Sequence, residues 1–158
     1  MSEDPQHRSS SSARPPPLAA FNWKAVAFGL FTDILSTAVL SVVLFSLLGT
    51  RLVAEGTAPR DMERALLSSN AYLLVSMIAG LGCTVLGGYV SAWVAGRLEY
   101  YHALLTGIAV LIFGELMMLG SPLDYPLAYR VLGNLLLIPA ALYGGHLRKV
   151  SRTRESQS

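Results

Sequence analysis

The chain has 158 residues, of which 53% are hydrophobic and 14% charged, with a formal net charge of +2. A soluble globular domain carries about 25% charged residues, so most of this chain is composed for a solvent other than water. The slight positive charge leaves no basic footprint for nucleic acid, and no nucleic-acid partner is expected.

Residues 1–20 contain Ser9-Ser10-Ser11-Ser12 and Pro15-Pro16-Pro17. They hold too little apolar surface to offset the entropy of ordering, which predicts a disordered cytoplasmic tail. The first apolar run begins only after this tail. It is longer than the 7–15 residues of a signal peptide's apolar core, so it reads as a retained first span.

Four blocks almost free of charge follow, at 22–48, 70–96, 101–120 and 127–147. Each approaches or exceeds the roughly 20 residues that a helix needs to cross a hydrocarbon core. The expected fold is all-α: a polytopic membrane protein, a four-transmembrane-helix bundle over 21–148, with a basic cytoplasmic tail at 149–158.

The first span carries Asp33 about ten residues in from Trp23. The segment that follows, near 50–69, is the one long connection. Pro59 followed by Asp61 and Glu63 is a helix-start pattern, and Met62 and Leu66 share a face. A short interfacial helix leading into the second span is expected there.

The second span repeats small residues every fourth position: Gly80, Thr84, Gly88, Ala92 and Gly96. A parallel row runs through Cys83, Gly87, Ser91 and Ala95. Small residues at this spacing let helix backbones approach closely in lipid, so Gly80, Thr84, Gly87, Gly88, Ser91, Ala92 and Gly96 are the expected packing positions. Two neighbouring small faces suit contacts within one bundle better than a dimer seam. Cys83 is the only cysteine. It excludes an intramolecular disulfide and a multi-cysteine metal site, and reads as a small packing residue.

A very short turn near Arg97–Tyr101 joins the second and third spans into an antiparallel hairpin. The third span begins near His102 and carries Glu115. Ser121-Pro122 and Tyr125-Pro126 favour a turn before the fourth span, where Pro139 should kink the helix. The fourth span ends near Gly144-Gly145, His146 and Arg148. Each hairpin thus has one acid in its first helix and a Gly-Gly pair in its second, a weak internal echo.

Basic residues set the expected orientation. With the N-terminus inside, the inner segments hold Arg8, Arg14, Lys24, Arg97, Arg148, Lys149, Arg152 and Arg154. The outer segments hold Arg51, Arg60, Arg64 and Arg130. This excess places both termini in the cytoplasm. Trp23, Trp93, Tyr100, Tyr101 and Tyr143 would form an inner aromatic belt, and Tyr72, Tyr125 and Tyr129 an outer one.

The segment from Gly87-Gly88-Tyr89 through Gly96-Arg97, continued by His102-Ala103-Leu104-Leu105-Thr106-Gly107, resembles small bacterial four-span membrane proteins of the YrzE-like kind. They share a Gly-Gly-aromatic segment, a basic turn and a histidine-containing start of the next helix. The resemblance spans about 20 residues and the four-span layout. It implies a multi-pass protein of the bacterial inner membrane and supplies no catalytic residue. Asp33, Glu115 and the Pro-rich tail stand outside it.

No Walker loop, HExxH helix, paired cysteines or nucleophile elbow is present. Neither an enzyme, a cofactor nor a metal site is therefore expected. His102 and His146 fall at the same end of neighbouring spans, where a bis-histidine haem is conceivable, but two interfacial histidines without a cofactor are expected. The remaining chemistry lies with Asp33 and Glu115. A charge near mid-membrane costs roughly 2.5–3.5 kcal/mol on insertion scales, so such acids face protein or water. They read either as a proton or ion site or as structural groups, bonded to Thr32, Ser36, Asn134 or a carbonyl. Glu115 could also pair with Arg130.

The leading expectation is a small integral membrane protein acting as a non-enzymatic structural, assembly or accessory subunit. The alternative is a proton- or cation-coupled transporter or channel component using the two acids. The expected partners are the lipid bilayer and a second copy or another membrane protein.

Overall fold

The computed structural model describes residues 21–119 and 125–155. The predicted tail at 1–20, Ser121-Pro122 and the last three residues lie outside these. The described residues form five α-helices and no strand: α1 Trp23–Ala54, α2 Met62–Ser68, α3 Asn70–Ala95, α4 Glu99–Leu119 and α5 Leu127–Glu155. All but α2 are long and apolar enough to cross a membrane. The protein is a polytopic four-helix membrane bundle. Its terminal face is where α1 begins and α5 ends; the loop face, opposite, carries α2.

Helix ends follow local stop signals rather than hydropathy. The Asn22 side chain caps α1 by accepting the Lys24 N–H at 3.2 Å. The helix then runs 32 residues, past the predicted end at 48, or about 48 Å at 1.5 Å per residue. Apolar character fades after Leu48, yet Gly49 stays helical and the chain turns only at Gly56, at φ +86°. Its N–H returns to the Val53 carbonyl at 3.0 Å.

A 3-10 turn at Pro59–Asp61 leads into α2, the short helix expected from the Pro59 pattern. Leu66 is buried, and Met62 reaches back to Gly49 near the end of α1. At Ser69 the backbone becomes extended, and its hydroxyl accepts the Tyr72 N–H to start α3.

The α3–α4 turn is as short as its sequence suggests. Gly96 adopts the left-handed conformation at φ +66° and returns its N–H to Ala92, a glycine cap. Gly96 is therefore the stop of α3, and does not continue the small-residue row. Beyond the turn, α4 starts at Glu99, two residues before the predicted boundary.

At the other end of the chain, α5 continues through the predicted basic tail to Glu155. Side chains hold this last stretch. Arg148 pairs with Glu155 at 3.3 Å, and Arg152 donates to the Gly96 carbonyl at 2.7 Å and lies 2.5 Å from Glu99. Pro139 lies within α5, where it has no N–H to donate to Leu135. The helix is continuous on both sides of it.

Glycines bring the helices together in the terminal half. A side chain at Gly88 of α3 would strike the Ala141 backbone of α5, and one at Gly144 would strike the backbone of Val85 and Tyr89. On the adjacent face of α3, Gly87 meets Gly29 of α1. A Cβ on Gly29 would stand 2.7 Å from the Gly87 carbonyl and 2.9 Å from Thr106 of α4. Gly107 and Gly145 seat α4 on α5 through Ala141 and Ala103. Because lipid gives apolar helices no hydrophobic drive to associate, such backbone proximity carries the packing.

In the loop half the same residue type does the opposite. Gly80, Gly114 and Gly133 have no neighbour that an added Cβ would meet within 4 Å. The expected ladder on α3 therefore divides. Thr84, Gly87, Gly88, Ser91 and Ala92 are buried, whereas Gly80 faces open space. The helices diverge above Gly29 and Gly107, and a cavity opens between them.

Candidate functional site: a cavity floored by Asp33

The floor of the cavity rests on a polar node near the terminal face. His102 is fully buried, as are Ser91 and Thr106. Its Nε2 accepts the Asn22 N–H at 3.1 Å, and its Nδ1 lies 3.1 Å from the Leu98 carbonyl. These contacts define the tautomer: Nδ1 carries the proton and donates, and Nε2 accepts. Phe21 stacks on the ring with centroids 6.1 Å apart. Thr106 Oγ1 donates to Ser91 Oγ at 2.8 Å, tying α4 to α3. Both ring nitrogens are thus engaged by protein. His146 bonds the Tyr100 hydroxyl at 2.7 Å, so the histidines belong to two separate hydrogen-bonded groups and do not face one haem position.

Asp33 sits one helical turn beyond Gly29, with its Cβ packed toward Gly87. That position follows from the α1–α3 crossing: the glycine contact sets the helices close, and the next turn falls at the lip of the gap. Asp33 is only 5% exposed. The nearby Thr84 hydroxyl donates to the Gly80 carbonyl at 3.2 Å, and Asp33 Oδ1 is buried with no hydrogen-bond partner. The bonds weighed for it with Thr32 and Ser36 do not form. Those hydroxyls bond backbone carbonyls of α1 instead.

From Asp33 a cavity of about 420 Å³ extends toward the loop face, lined by α1, α3, α4 and α5. Its walls are largely apolar, with Met77 and Leu81 of α3, Phe113 and Met118 of α4 and Leu137 of α5. Gly80, Gly114 and Gly133 enlarge it by leaving those walls without side chains.

Glu115 lines the same cavity but in another state of pairing. Asn134 donates to it at 2.6 Å and Arg130 at 3.0 Å, both from α5. The Asn134 and Arg130 contacts weighed from sequence thus occur together. The Glu115 and Arg130 side chains keep 39% and 42% of their exposure, so the cavity is open at their level. Their charges offset, and Asp33 is the one acid in the lining without a cationic partner.

Two tyrosines complete the loop-face side. Tyr125 and Tyr129 stack with ring centroids 5.7 Å apart, and Tyr129 shares a 3.3 Å hydrogen bond with Ser76 of α3. Both line the cavity rather than only edging the membrane, as their place in the sequence suggests. Burial pushes the Tyr125 phenol above its ordinary value, with Tyr72, Tyr129 and Glu63 adding to the shift. The phenol therefore stays neutral near pH 7. Among the described residues no three His, Cys, Asp or Glu side chains cluster to hold a metal ion.

The sequence points to both acids and to the partners of Glu115, but not to the polar node beneath Asp33. The Asn22–His102 bond joins a backbone N–H to a ring eighty positions away, and no local pattern announces it. The tyrosine pair had a visible signal in its four-residue spacing.

The fold and cavity together define a class: an integral membrane bundle with an acid-floored internal cavity. No family model, curated protein or solved structure matches the chain.

Proposed function

We propose that the protein is a cation-handling transport component of the bacterial inner membrane, with both termini cytoplasmic and the cavity opening outward. The observation that carries this reading is the shared cavity: Asp33, buried and unpaired, lies at the inner end of a space that also contains the Glu115–Arg130 pair. An ionisable group inside a membrane is costly unless it is used, and a scaffold has no use for a cavity that ends on one. The close glycine contacts below Asp33 act as the closed side of the crevice. Passage to the other face requires those contacts to rearrange, in one chain or in an assembly of copies.

Liposomes holding a pH-sensitive dye and the purified protein test this reading. Sodium, potassium or tetramethylammonium chloride is added outside to an acidic lumen. At least one cation should drive proton exit with the wild type and not with Asp33→Asn. Traces matching protein-free liposomes for all three cations would overturn the reading.

A further inference from the structure

The chemistry of the cavity wall specifies more than a charge. We infer that the cavity binds a monovalent organic cation with an apolar body, its cationic centre at Asp33 and its body between the α3 and α4 walls. The inference rests on the transport reading above and names its substrate class.

Three observations carry it. The first is charge. Glu115 is neutralised by Arg130 at 3.0 Å, so the lining has one unbalanced acid, Asp33, and its Oδ1 is buried without a partner. One cationic centre, or one proton, balances it. The second is size. About 420 Å³ falls in the range of small-molecule pockets and is far more than a bare metal ion fills. An inorganic cation also needs several oxygen ligands at short range; Thr37, Ser76 and Thr84 add hydroxyls to the lining, but Met77, Leu81, Phe113 and Leu137 keep most of the space apolar. The third is aromatic placement. The Tyr125–Tyr129 stack lies on the route from the loop face, and aromatic faces attract organic cations. Arg130 stands on the same route and would repel any cation, but its pairing with Glu115 cancels that barrier.

Proton and organic cation then compete for the Asp33 carboxylate. Binding the cation leaves the carboxylate ionised and sends its proton to water; release of the cation lets a proton return. No other reactant is needed.

Benzyltrimethylammonium is a suitable probe, because its charge is permanent and does not titrate. Its binding to the full chain in lipid nanodiscs is measured by calorimetry, with tetramethylammonium and sodium as comparators. The wild type should bind it, and should bind it more tightly than tetramethylammonium, which lacks the apolar body. Asp33→Asn should weaken binding roughly 10- to 100-fold, the range for one charged contact out of water. Wild-type affinity should fall as the solution is acidified, and the residual affinity of the Asn variant should not. That pH dependence separates loss of the carboxylate from misfolding, and an unchanged helical circular dichroism spectrum supports the comparison. Equal affinity in both proteins, or displacement of the probe by equimolar sodium, overturns the inference. If sodium drives proton exit in liposomes while the probe fails to bind, the transport reading stands and this inference falls.

Discussion

Gly88 and Gly144 pack reciprocally across the α3–α5 interface. Gly88 meets Ala141, three residues before Gly144, and Gly144 meets Val85, three residues before Gly88. Each glycine admits the other helix's backbone, so neither contact can be relieved by moving a flexible side chain. Gly88→Ala or Gly144→Ala should therefore destabilise the bundle by roughly 1–3 kcal/mol or more, the usual cost of overpacking. Gly80→Ala, facing open space, should cost far less. Thermal unfolding in one detergent compares the three. Equal midpoints for Gly88→Ala and Gly80→Ala would refute the division of the glycines into contact and cavity positions.

His102 anchors the start of α1 to α4. Replacing it with alanine removes the acceptor of the Asn22 N–H, the donor to Leu98 and the stacking surface for Phe21. A fully buried bonded side chain of this kind should cost about 2–4 kcal/mol. Hydrogen exchange should show faster opening of the first turn of α1 in His102→Ala, while α2 is unaffected.

Arg152 ties the last turn of α5 to the α3–α4 turn through Gly96 and Glu99. Glu99 is 7% exposed, so Arg152→Ala leaves a buried acid unpaired. Because Arg152 itself is half-exposed, solvent screens part of the loss. The informative readout is the double-mutant cycle: Glu99→Gln should restore stability to Arg152→Ala, with a coupling of about 1 kcal/mol. Strict additivity of the two changes would mean that the ion pair contributes nothing.

Much of this fold is legible in the sequence because hydropathy is a local sum. Four apolar blocks and the Pro59 helix start locate α1 to α5 without any tertiary information. The helix ends depart from the apolar boundaries where stopping depends on something else. The α1 helix outlasts its apolar stretch until Gly56, and α5 persists through charged residues because Arg152 has partners on another helix. The glycine row shows the limit more sharply. Gly80 and Gly88 share a residue type and a face, yet one borders a cavity and the other touches backbone. That difference arises from which neighbouring backbone lies against each position, and no single helix encodes it. For the acids, the partners of Glu115 are legible in the sequence and the isolation of Asp33 is not. Glu115 gains Arg130 and Asn134 from α5, while the Thr32 and Ser36 hydroxyls turn to backbone carbonyls and leave Asp33 Oδ1 without a partner.

The Glu115–Arg130 pair has a predicted electrostatic role in the cavity. Glu115→Gln should leave Arg130 as a free positive charge and weaken benzyltrimethylammonium binding several-fold. Adding Arg130→Gln should restore it, because the lining returns to one net negative charge. Failure of the double variant to recover affinity would place Glu115 in direct contact with the cation.

A protein stabilised by Asp33→Asn is also expected. An acid buried without a full set of partners is a cost to folding that function retains. Asn keeps the shape and removes the charge, so the unfolding midpoint should rise or hold while cation binding is lost. A marked fall in the midpoint would assign Asp33 to the packing of the bundle.

Solvent access to the cavity is the most direct measurement of the central claim, that the bundle is closed at its terminal half and open at its loop half. In a Cys83→Ala background, single cysteines at Gly133 and at Ala103 are exposed to a charged, membrane-impermeant thiol reagent from each side. The cysteine at 133 should react from the loop face alone, and the one at 103, in the closed half, should react from neither. A cysteine at 133 that is unreactive from the loop face, or that reacts from the terminal face, would contradict the open crevice and the role assigned to Asp33 at its base.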